Sequence, residues 1–369
     1  MSKKTNKFLG SKKKKILFKK LGISETLETV KQTGHNMKNT LDDIIKTPPT
    51  IVCGRCIETC VMQIGSEKIR LDKNKEVVMP LGLYFQGNKN KQNNTKFLKP
   101  SSRPFIERFR RYRGENLDNK NLLIWRFGGI GDLMFAQPLI MYLKSKYPTC
   151  KITFSTSPAN INLFDSWPKG LIDESTPMPF LAPYLDDNDY HLTFEGAIER
   201  CKEAHTVNSI DIFAKIANLQ FDPNEFQIKL IPDSNLLFKM KQIIPENTIA
   251  FQIRSSSPVR TVTIPKAVEL INILTDMKFN VGILDSSKTA GDIDNFLMHK
   301  KFFNNPNQVF NLAKLSTSLT HCISILKTCC GSIATDSSIT HLSSALQKPT
   351  VGIYGPFLGE LRMKYYKTG

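Results

Sequence analysis

From residue 121 onward, short apolar runs alternate with longer amphipathic segments. In a first cycle this pattern predicts strands at 121–126, 151–156 and 190–194 and a helix at 133–146. After a break near 231–246 a second cycle follows, with predicted strands at 248–254, 279–284, 332–335 and 350–354 and helices at 264–277, 315–328 and 339–346. Strands that alternate with helices in this way are typical of parallel sheets. We therefore predict an α/β fold with two doubly wound, Rossmann-like domains, residues 121–240 and 245–369, that face a cleft.

The part of the chain before residue 121 has a different character. Residues 1–46 are predicted to be a basic, largely flexible arm with short helices, because residues 1–20 hold nine Lys and no acidic side chain. Residues 47–120 are predicted to form a small accessory module with cysteines, followed by a linker. Residues 1–120 carry 27 basic and 11 acidic side chains, so about +16 of the net charge of +18 lies in this third of the chain. The basic character therefore belongs to the extension and not to the fold that follows it.

The basic arm suggests contact with an anionic partner. Residues 1–20 are a candidate contact for an anionic membrane surface or for nucleic acid, and a solvated tail is the alternative. The sequence has no run of about eighteen apolar residues and no apolar signal segment after the first lysines. We expect a cytoplasmic protein. The alternative is a cytoplasmic protein attached peripherally to the inner face of a membrane.

Eight cysteines in 369 residues are too few for a disulfide scaffold, which favours reduced thiols. Three of them, Cys53, Cys56 and Cys60, are close enough in sequence to supply three ligands to a structural zinc ion. A fourth ligand is not evident nearby. Ordinary buried thiols are the preferred interpretation, and a zinc site is the alternative.

The first candidate chemical motif is FGGIGD at 127–132, between the first predicted strand and its helix. Gly128, Gly129 and Gly131 allow a sharp turn and a close approach to a ligand, and the helix start offers unpaired N–H groups. Asp132 lies at the mouth of this loop. The motif lacks the third glycine of the dinucleotide fingerprint and the Gly-Lys-Ser/Thr of a phosphate-binding Walker loop. Asp132 acting only as a helix N-cap is the alternative.

The second motif, ATDSSITH at 334–341, also follows a predicted strand and opens a helix. Asp336, Ser337 and Ser338 fall at the helix start, where amides and hydroxyls are able to hold a diphosphate, and His341 lies one turn further on. The alternative for His341 is a hydrogen-bonded core histidine.

The third motif follows the strand predicted at 248–254. Arg254 ends that strand, and Ser255 and Ser256 begin a hydroxyl-rich loop that leads to Arg260. Arg260 is able to neutralise phosphate charge through a forked contact. The alternative is a surface arginine.

Taken in this order, the three motifs resemble the ADP-heptose:lipopolysaccharide heptosyltransferase family, which is glycosyltransferase family 9-like and has the GT-B fold. The resemblance covers about residues 121–356 and is most specific at LLIWRFGGIGDLMFAQPLIMYLKSKYP and DSSITHLSSALQKPTVGIYGP. It implies an inverting glycosyltransferase that needs no metal. It implies that Asp132 is the general base and that Arg260 contacts the donor phosphates. The residues it assigns to the donor diphosphate are Asp336, Ser337, Ser338 and His341.

These expectations define one enzymatic hypothesis and one rival. The first is an inverting glycosyltransferase that moves a sugar, with heptose as a candidate, from a nucleotide-diphosphate donor to a hydroxyl of a saccharide or glycolipid acceptor. Thirteen residues follow Pro356, fewer than the family usually has, so we expect a shortened C-terminal domain. The alternative is a non-catalytic protein of the same fold, anchored through its basic N-terminal extension.

Overall fold

The computed structural model of the chain describes residues 51–56, 59–64, 67–80, 98–100 and 110–367. The predictions for the arm, residues 1–46, and for its anionic partners lie outside the described residues. Within the described ranges, the helices are too short or too polar for any of them to cross a bilayer.

The first described segments form a small antiparallel unit. Its strands are β1 (Ile51–Cys56), β2 (Cys60–Ile64), β3 (Glu67–Leu71), β4 (Glu76–Pro80) and β5 (Leu98–Pro100). β1 pairs with β4 on one side and with β5 on the other, and β2 and β3 form a separate hairpin. As far as the described residues extend, this region is therefore built of short antiparallel strands.

The first parallel sheet follows. Its region contains β6 (Arg110–Arg111), β7 (Asn121–Trp125), α1 (Ile130–Lys146), β8 (Lys151–Thr156), β9 (Glu174–Pro177), β10 (Phe180–Leu181), α2 (Pro183–Asp186), β11 (Tyr190–Thr193), α3 (Ala197–Arg200), α4 (Ser209–Ile216) and α5 (Ser234–Ile243). The strand order in the sheet is β6-β11-β7-β8-β9. All its pairings are parallel, as predicted.

The second parallel sheet repeats this arrangement. Its region contains β12 (Thr248–Phe251), α6 (Ile264–Asp276), β13 (Asn280–Ile283), α7 (Ala290–Met298), β14 (Val309–Asn311), α8 (Leu319–Thr328), β15 (Gly331–Thr335), α9 (Ser338–Ala345), β16 (Thr350–Ile353) and α10 (Gly359–Met363). The strand order is β14-β13-β12-β15-β16, the order of a doubly wound sheet. The predicted fold class of two Rossmann-like sheets is confirmed.

The order of strands reverses at the centre of each sheet. In the first sheet β7 lies between β8 and β11, and in the second β12 lies between β13 and β15. Ligands of such folds bind outside the carboxyl ends of the strands where the order reverses. The loops after β7, β11, β12 and β15 are therefore the places to look for a site.

Helices join the two sheets into one packed body. The helix that follows β7, α1, contacts α9, and α5 contacts α8. One continuous apolar cluster includes Leu139 and Ile140 of the first half together with Leu326 and Leu342 of the second. The relative position of the two glycine- and serine-rich loops is thus fixed by core packing.

The region near 231–246, predicted to be a break, contains the helix α5 (Ser234–Ile243). The apolar pattern conceals it because only Met240 is buried on this helix, while Phe238 remains 65% exposed. A cap was nevertheless present in the sequence: the carboxylate of Asp233 accepts a hydrogen bond from the Leu236 N–H at 2.8 Å.

The small antiparallel unit is joined to the first parallel sheet. β10 pairs with β4, and the Val78 side chain packs in one cluster with Trp125, Met178 and Phe180. The pairing of β6 with β11 adds a further strand from the segment before residue 121. The accessory region therefore shares a sheet and a core with the fold that follows, while the predicted domain boundaries stay predictions.

Candidate active site

A cleft of about 780 Å³ lies between the two parallel sheets, at the carboxyl ends of their central strands. This volume is within the range of roughly 300–1,000 Å³ that is usual for ligand sites. One wall comes from the loop after β7 and the start of α1, and the other from the loops after β12 and β15. The predicted residues that line it are Gly129, Gly131, Asp132, Ser255, Ser256, Arg260, Asp336, Ser337, Ser338 and His341.

A buried arginine organises the first wall. Arg126, directly after β7, has no solvent exposure and donates from Nη2 to Asp132 Oδ2 at 2.7 Å and to Glu199 Oε1 at 2.6 Å. Its Nη1 donates to Glu199 Oε2 and to the Phe194 carbonyl, both at 3.1 Å. Four hydrogen bonds therefore fix the guanidinium plane behind the carboxylate of Asp132.

Gly128 makes this ion pair possible. A Cβ atom at residue 128 would lie 2.5 Å from Arg126 Nε and 2.6 Å from Asp132 Oδ2. The Asn160 side-chain amide donates to the Gly128 carbonyl at 3.1 Å and holds the loop from the other side. The first glycine of the motif is thus required by the arginine and the aspartate that flank it.

Asp132 lies in the first turn of α1 and lines the cleft. The helix N-cap is Gly129, with no side-chain cap, so the alternative that Asp132 serves only as the N-cap is wrong. Burial alone would raise the pKa of Asp132, but the Arg126 and Arg362 guanidinium groups lower it below its ordinary value. The carboxylate is therefore ionised at neutral pH.

Sequence analysis missed the two glutamates that complete this wall. Glu195 accepts a hydrogen bond from the Phe127 N–H at 2.7 Å, and burial raises its pKa although Arg126 lies 4.0 Å away. Glu199, on α3, lines the cleft. Both follow β11, which is hydrogen-bonded to β7 although it lies almost seventy residues further along the chain. The available signal was the charged Arg126 at the end of an apolar strand.

His341 connects the two walls. Its ring is 6% exposed, meets the Phe135 ring edge-on at 5.0 Å and places Nδ1 3.2 Å from the hydroxyl of Tyr366. Burial lowers the pKa of His341 to about 4, so the ring is neutral at pH 7. His341 is thus a hydrogen-bonded core histidine, and it also lines the cleft.

Gly131 allows α1 to approach His341, and this contact gives a first testable prediction. A Cβ atom at residue 131 would lie 2.7 Å from His341 Cδ2 and 2.9 Å from Nε2. Gly131→Ala should therefore destabilise the protein by about 1–3 kcal/mol through overpacking, measured by chemical denaturation. Helix propensity alone predicts the opposite sign.

Gly129→Ala is the matched control. A Cβ atom at residue 129 meets nothing within 4 Å, and its φ of −68° suits alanine. Its stability should stay within about 1 kcal/mol of that of the wild type, because the entropy gain from replacing glycine is offset by the preference for glycine over alanine at an N-cap. Equal effects of the two substitutions would show that Gly131 is not a close-packing position.

The second wall is built around Arg260. Its Nη1 donates to the Asp336 carbonyl at 2.8 Å and lies 3.4 Å from the carboxylate, and its Nη2 donates to Ser256 Oγ at 2.9 Å. Its side chain is 24% exposed, so the alternative of a simple surface arginine is wrong. Asp336 therefore holds the Arg260 guanidinium in the cleft.

The serines of this wall differ in what their hydroxyls contact. Ser337 is the N-cap of α9, but its Oγ donates to Gln252 Oε1 instead of capping the helix. Ser255 and Ser338 line the cleft, and Ser255 Oγ accepts from the Ser257 N–H at 3.4 Å. The first N–H groups of α9 have no partner within the helix. The start of α9 thus offers backbone donors to an anion.

Arg254, in the loop three residues after β12, adds a second cation that also lines the cleft. It donates to Asp285 Oδ2 at 3.1 Å and to Asp292 Oδ2 at 3.0 Å. Its Nη2 atom is buried and without a hydrogen-bond partner. Gln252, Asp285 and Arg254 are cleft residues to which sequence analysis assigned no function.

The end of the described chain returns to the first half. Tyr365 donates from its hydroxyl to Asp211 Oδ1 at 2.6 Å, and Lys364 Nζ lies 3.2 Å from Asp211 Oδ2. Arg362 donates to Ser209 Oγ at 3.2 Å, lies over the Phe357 ring and lines the cleft. Despite the small number of residues after Pro356, this segment packs across both halves and contributes a cation to the site.

Among the described residues, the cysteine motif forms no cluster of metal ligands. Cys56 is fully buried among the apolar side chains of β2, β3 and β4, and burial raises its pKa to about 11. In the ranges that the structure describes, no group of three or more His, Cys, Asp or Glu side chains is placed to hold a metal ion. The side chain of Cys53 lies outside this description, and the zinc site remains a prediction.

Comparisons with known proteins agree with this fold. The crystal structure of a glycosyl transferase family 9 protein from Veillonella parvula matches with a TM-score of 0.55 and 12% identity, over 66% of this chain and 84% of that one. The structure of Escherichia coli ADP-heptose lps heptosyltransferase II matches with a TM-score of 0.50 and 16% identity, over 63% and 84%. No curated protein sequence matches the chain. At these identities the structural likeness establishes the fold.

The fold, two parallel sheets that face a cleft, is of the GT-B type, and the family model that this chain matches is one of glycosyltransferases. Residues 197–360 match the family model described as glycosyltransferase family 9 (heptosyltransferase). The family resemblance seen in the sequence is thereby confirmed. The matched segment includes Glu199, Arg260 and the 334–341 motif, whereas the glycine loop at 127–132 precedes it.

Proposed function

We propose that this glycosyltransferase is an inverting enzyme, which moves a sugar from a nucleoside diphosphate to a hydroxyl of a saccharide or glycolipid acceptor. The observation that carries the proposal is that the Asp132 carboxylate and the Arg260 guanidinium line opposite walls of one cleft. The heptosyltransferase family model supports heptose as the sugar. The Escherichia coli structure, of a protein named for ADP-heptose, supports ADP as the nucleotide.

In this mechanism the two walls perform different tasks. Asp132 removes the proton from the acceptor hydroxyl, and the resulting oxygen attacks the anomeric carbon on the face opposite the diphosphate. The bond between that carbon and the phosphate oxygen breaks, and the nucleoside diphosphate leaves with the electron pair. Arg260 and the N–H groups at the start of α9 stabilise the negative charge that develops on it.

The phosphates are proposed to bind where the second wall presents two guanidinium groups. Arg260 and Arg254 both line this part of the cleft, and Asp336 and Asp285 fix their orientation. The prediction that Asp336 itself contacts the diphosphate is accordingly refined: we propose that it positions Arg260. Ser337, Ser338 and the helix start remain the proposed direct contacts.

Two measurements test the function. Thermal shift with ADP, UDP, GDP and inorganic phosphate should show stabilisation by one nucleoside diphosphate at concentrations where phosphate has no effect. The enzyme should then transfer heptose from ADP-heptose to a lipopolysaccharide-core acceptor with inversion at the anomeric carbon, detected by NMR. If no nucleoside diphosphate or nucleotide sugar binds and no transfer occurs, the alternative of a non-catalytic protein of this fold is favoured.

A further inference from the structure

The proposed general base raises a question that the geometry answers. A carboxylate paired with an arginine is ionised, but it is also a weak base, and a strong pair would weaken it further. Asp132 receives only one hydrogen bond from Arg126, from Nη2 to Oδ2 at 2.7 Å. Its other oxygen, Oδ1, accepts no hydrogen bond from the described residues. Something must therefore prevent Arg126 from forming the two-point contact that arginine usually makes with a carboxylate.

Glu199 occupies that two-point contact instead. Its Oε1 accepts from Arg126 Nη2 at 2.6 Å and its Oε2 from Nη1 at 3.1 Å. The second N–H of Nη1 is taken by the Phe194 carbonyl at 3.1 Å. All four terminal N–H groups of Arg126 are thus assigned, one of them to Asp132, while its buried Nε–H has no hydrogen-bond partner among the described residues.

We propose that Glu199 is a positioning residue, which holds Arg126 in a two-point ion pair and so leaves Asp132 with one engaged and one available oxygen. This inference rests on the proposed function of Asp132. Glu199 also places a negative charge beside the guanidinium, which limits how far that cation depresses the proton affinity of Asp132.

The surroundings of Asp132 allow this effect to be isolated. The charged and titratable side chains that face Asp132 or its arginine partner are Arg126, Glu195, Glu199, His341 and Arg362. The two arginines keep their charge at all relevant pH values. His341 is neutral above about pH 5, because burial lowers its pKa to about 4. Glu195 is held by the Phe127 N–H and stays in place when Glu199 is changed.

Glu199→Gln is the test, because it keeps the size of the side chain and removes its charge. An amide offers one acceptor and places N–H donors against the guanidinium, so Arg126 should turn toward Asp132. We expect the pKa of Asp132 to fall by about one unit. The acidic limb of the kcat/KM profile should move to lower pH by the same amount, and kcat should fall by roughly 10-fold because the base is weaker. The affinity for ADP should be unchanged.

The pKa is read directly, by ¹³C NMR titration of the full chain labelled at the Asp carboxyl carbons, with the Asp132 signal identified by its loss in Asp132→Asn. Glu199→Asp keeps the charge and should stay closer to the wild type than Glu199→Gln. Glu225→Gln is the control for charge, since Glu225 is exposed and outside the cleft.

Two outcomes would overturn the proposal. One is an Asp132 titration that is the same in Glu199→Gln and in the wild type. The other is a Glu199→Gln enzyme as inactive as Asp132→Asn, which would make Glu199 itself the base. The titration needs no substrate. A wild-type protein without transferase activity would therefore defeat the proposed function, and the titration would still decide the role of Glu199.

Discussion

Asp132→Asn is expected to lower turnover by at least roughly 10²-fold while the affinity for ADP stays within about twofold of the wild type. The asparagine oxygen still accepts the Arg126 Nη2 hydrogen bond, so the first wall keeps its arrangement, but the amide cannot take a proton. The phosphates are proposed to bind on the other wall, so ADP affinity should not sense the change. Turnover is measured with saturating donor and acceptor, and ADP affinity by calorimetry.

Asp173→Asn is the matched control for this substitution. Asp173 belongs to the same half of the protein and pairs with Lys144 at 2.6 Å, outside the cleft. Its removal should alter stability slightly and leave turnover unchanged. Asp132→Asn with wild-type turnover would dismiss Asp132 as the base and direct attention to Glu199, whose carboxylate belongs to the same wall and also lines the cleft.

The local parts of the site were accessible from the sequence because each depends on neighbours along the chain. The apolar strand β7, the glycine turn and the helix α1 are contiguous, and the same holds for β15, Ser337 and α9. Periodicity also placed the two parallel sheets. Right-handed crossovers then restrict the possible strand orders but do not select the observed one.

The partners of Arg126 were not accessible in the same way. Glu195 and Glu199 follow β11, and only the pairing of β11 with β7 brings them to the glycine loop. No periodicity in the sequence links these two glutamates to the glycine loop. The arginine itself was the useful signal, since a charged side chain that ends a fully apolar strand needs a partner in the fold.

The docking of the small antiparallel unit was also beyond the sequence. Val77, Val78 and Met79 are three consecutive buried residues, because β4 is covered on both faces. Such a run carries no alternation from which to infer a partner. The contact of Tyr365 with Asp211 is similar, since it joins residues more than 150 positions apart.

Arg260→Met is expected to weaken ADP binding by roughly 10- to 100-fold, the loss that follows from removing one charge-assisted contact with a phosphate. The ADP affinity of Arg260→Lys should lie between those of the wild type and Arg260→Met. An ammonium keeps the charge but cannot bridge Asp336 and Ser256 as the guanidinium fork does. Lys266→Met, at an exposed lysine that pairs with Glu269 outside the cleft, should leave the affinity unchanged. Calorimetric titration with ADP measures all three.

The structure also predicts how this loss depends on Asp336. Its side chain is 9% exposed, and without Arg260 its carboxylate would remain beside the bound phosphates with no cation to balance it. Part of the penalty in Arg260→Met should therefore be repulsion, and Asp336→Asn in the same chain should recover some of the ADP affinity. Asp336→Asn alone should weaken binding only slightly, because Arg260 loses its ion pair with the carboxylate but keeps its bonds to the main-chain carbonyl of residue 336 and to Ser256. Strictly additive losses in the double variant would mean that the two residues act independently and that Asp336 does not position Arg260.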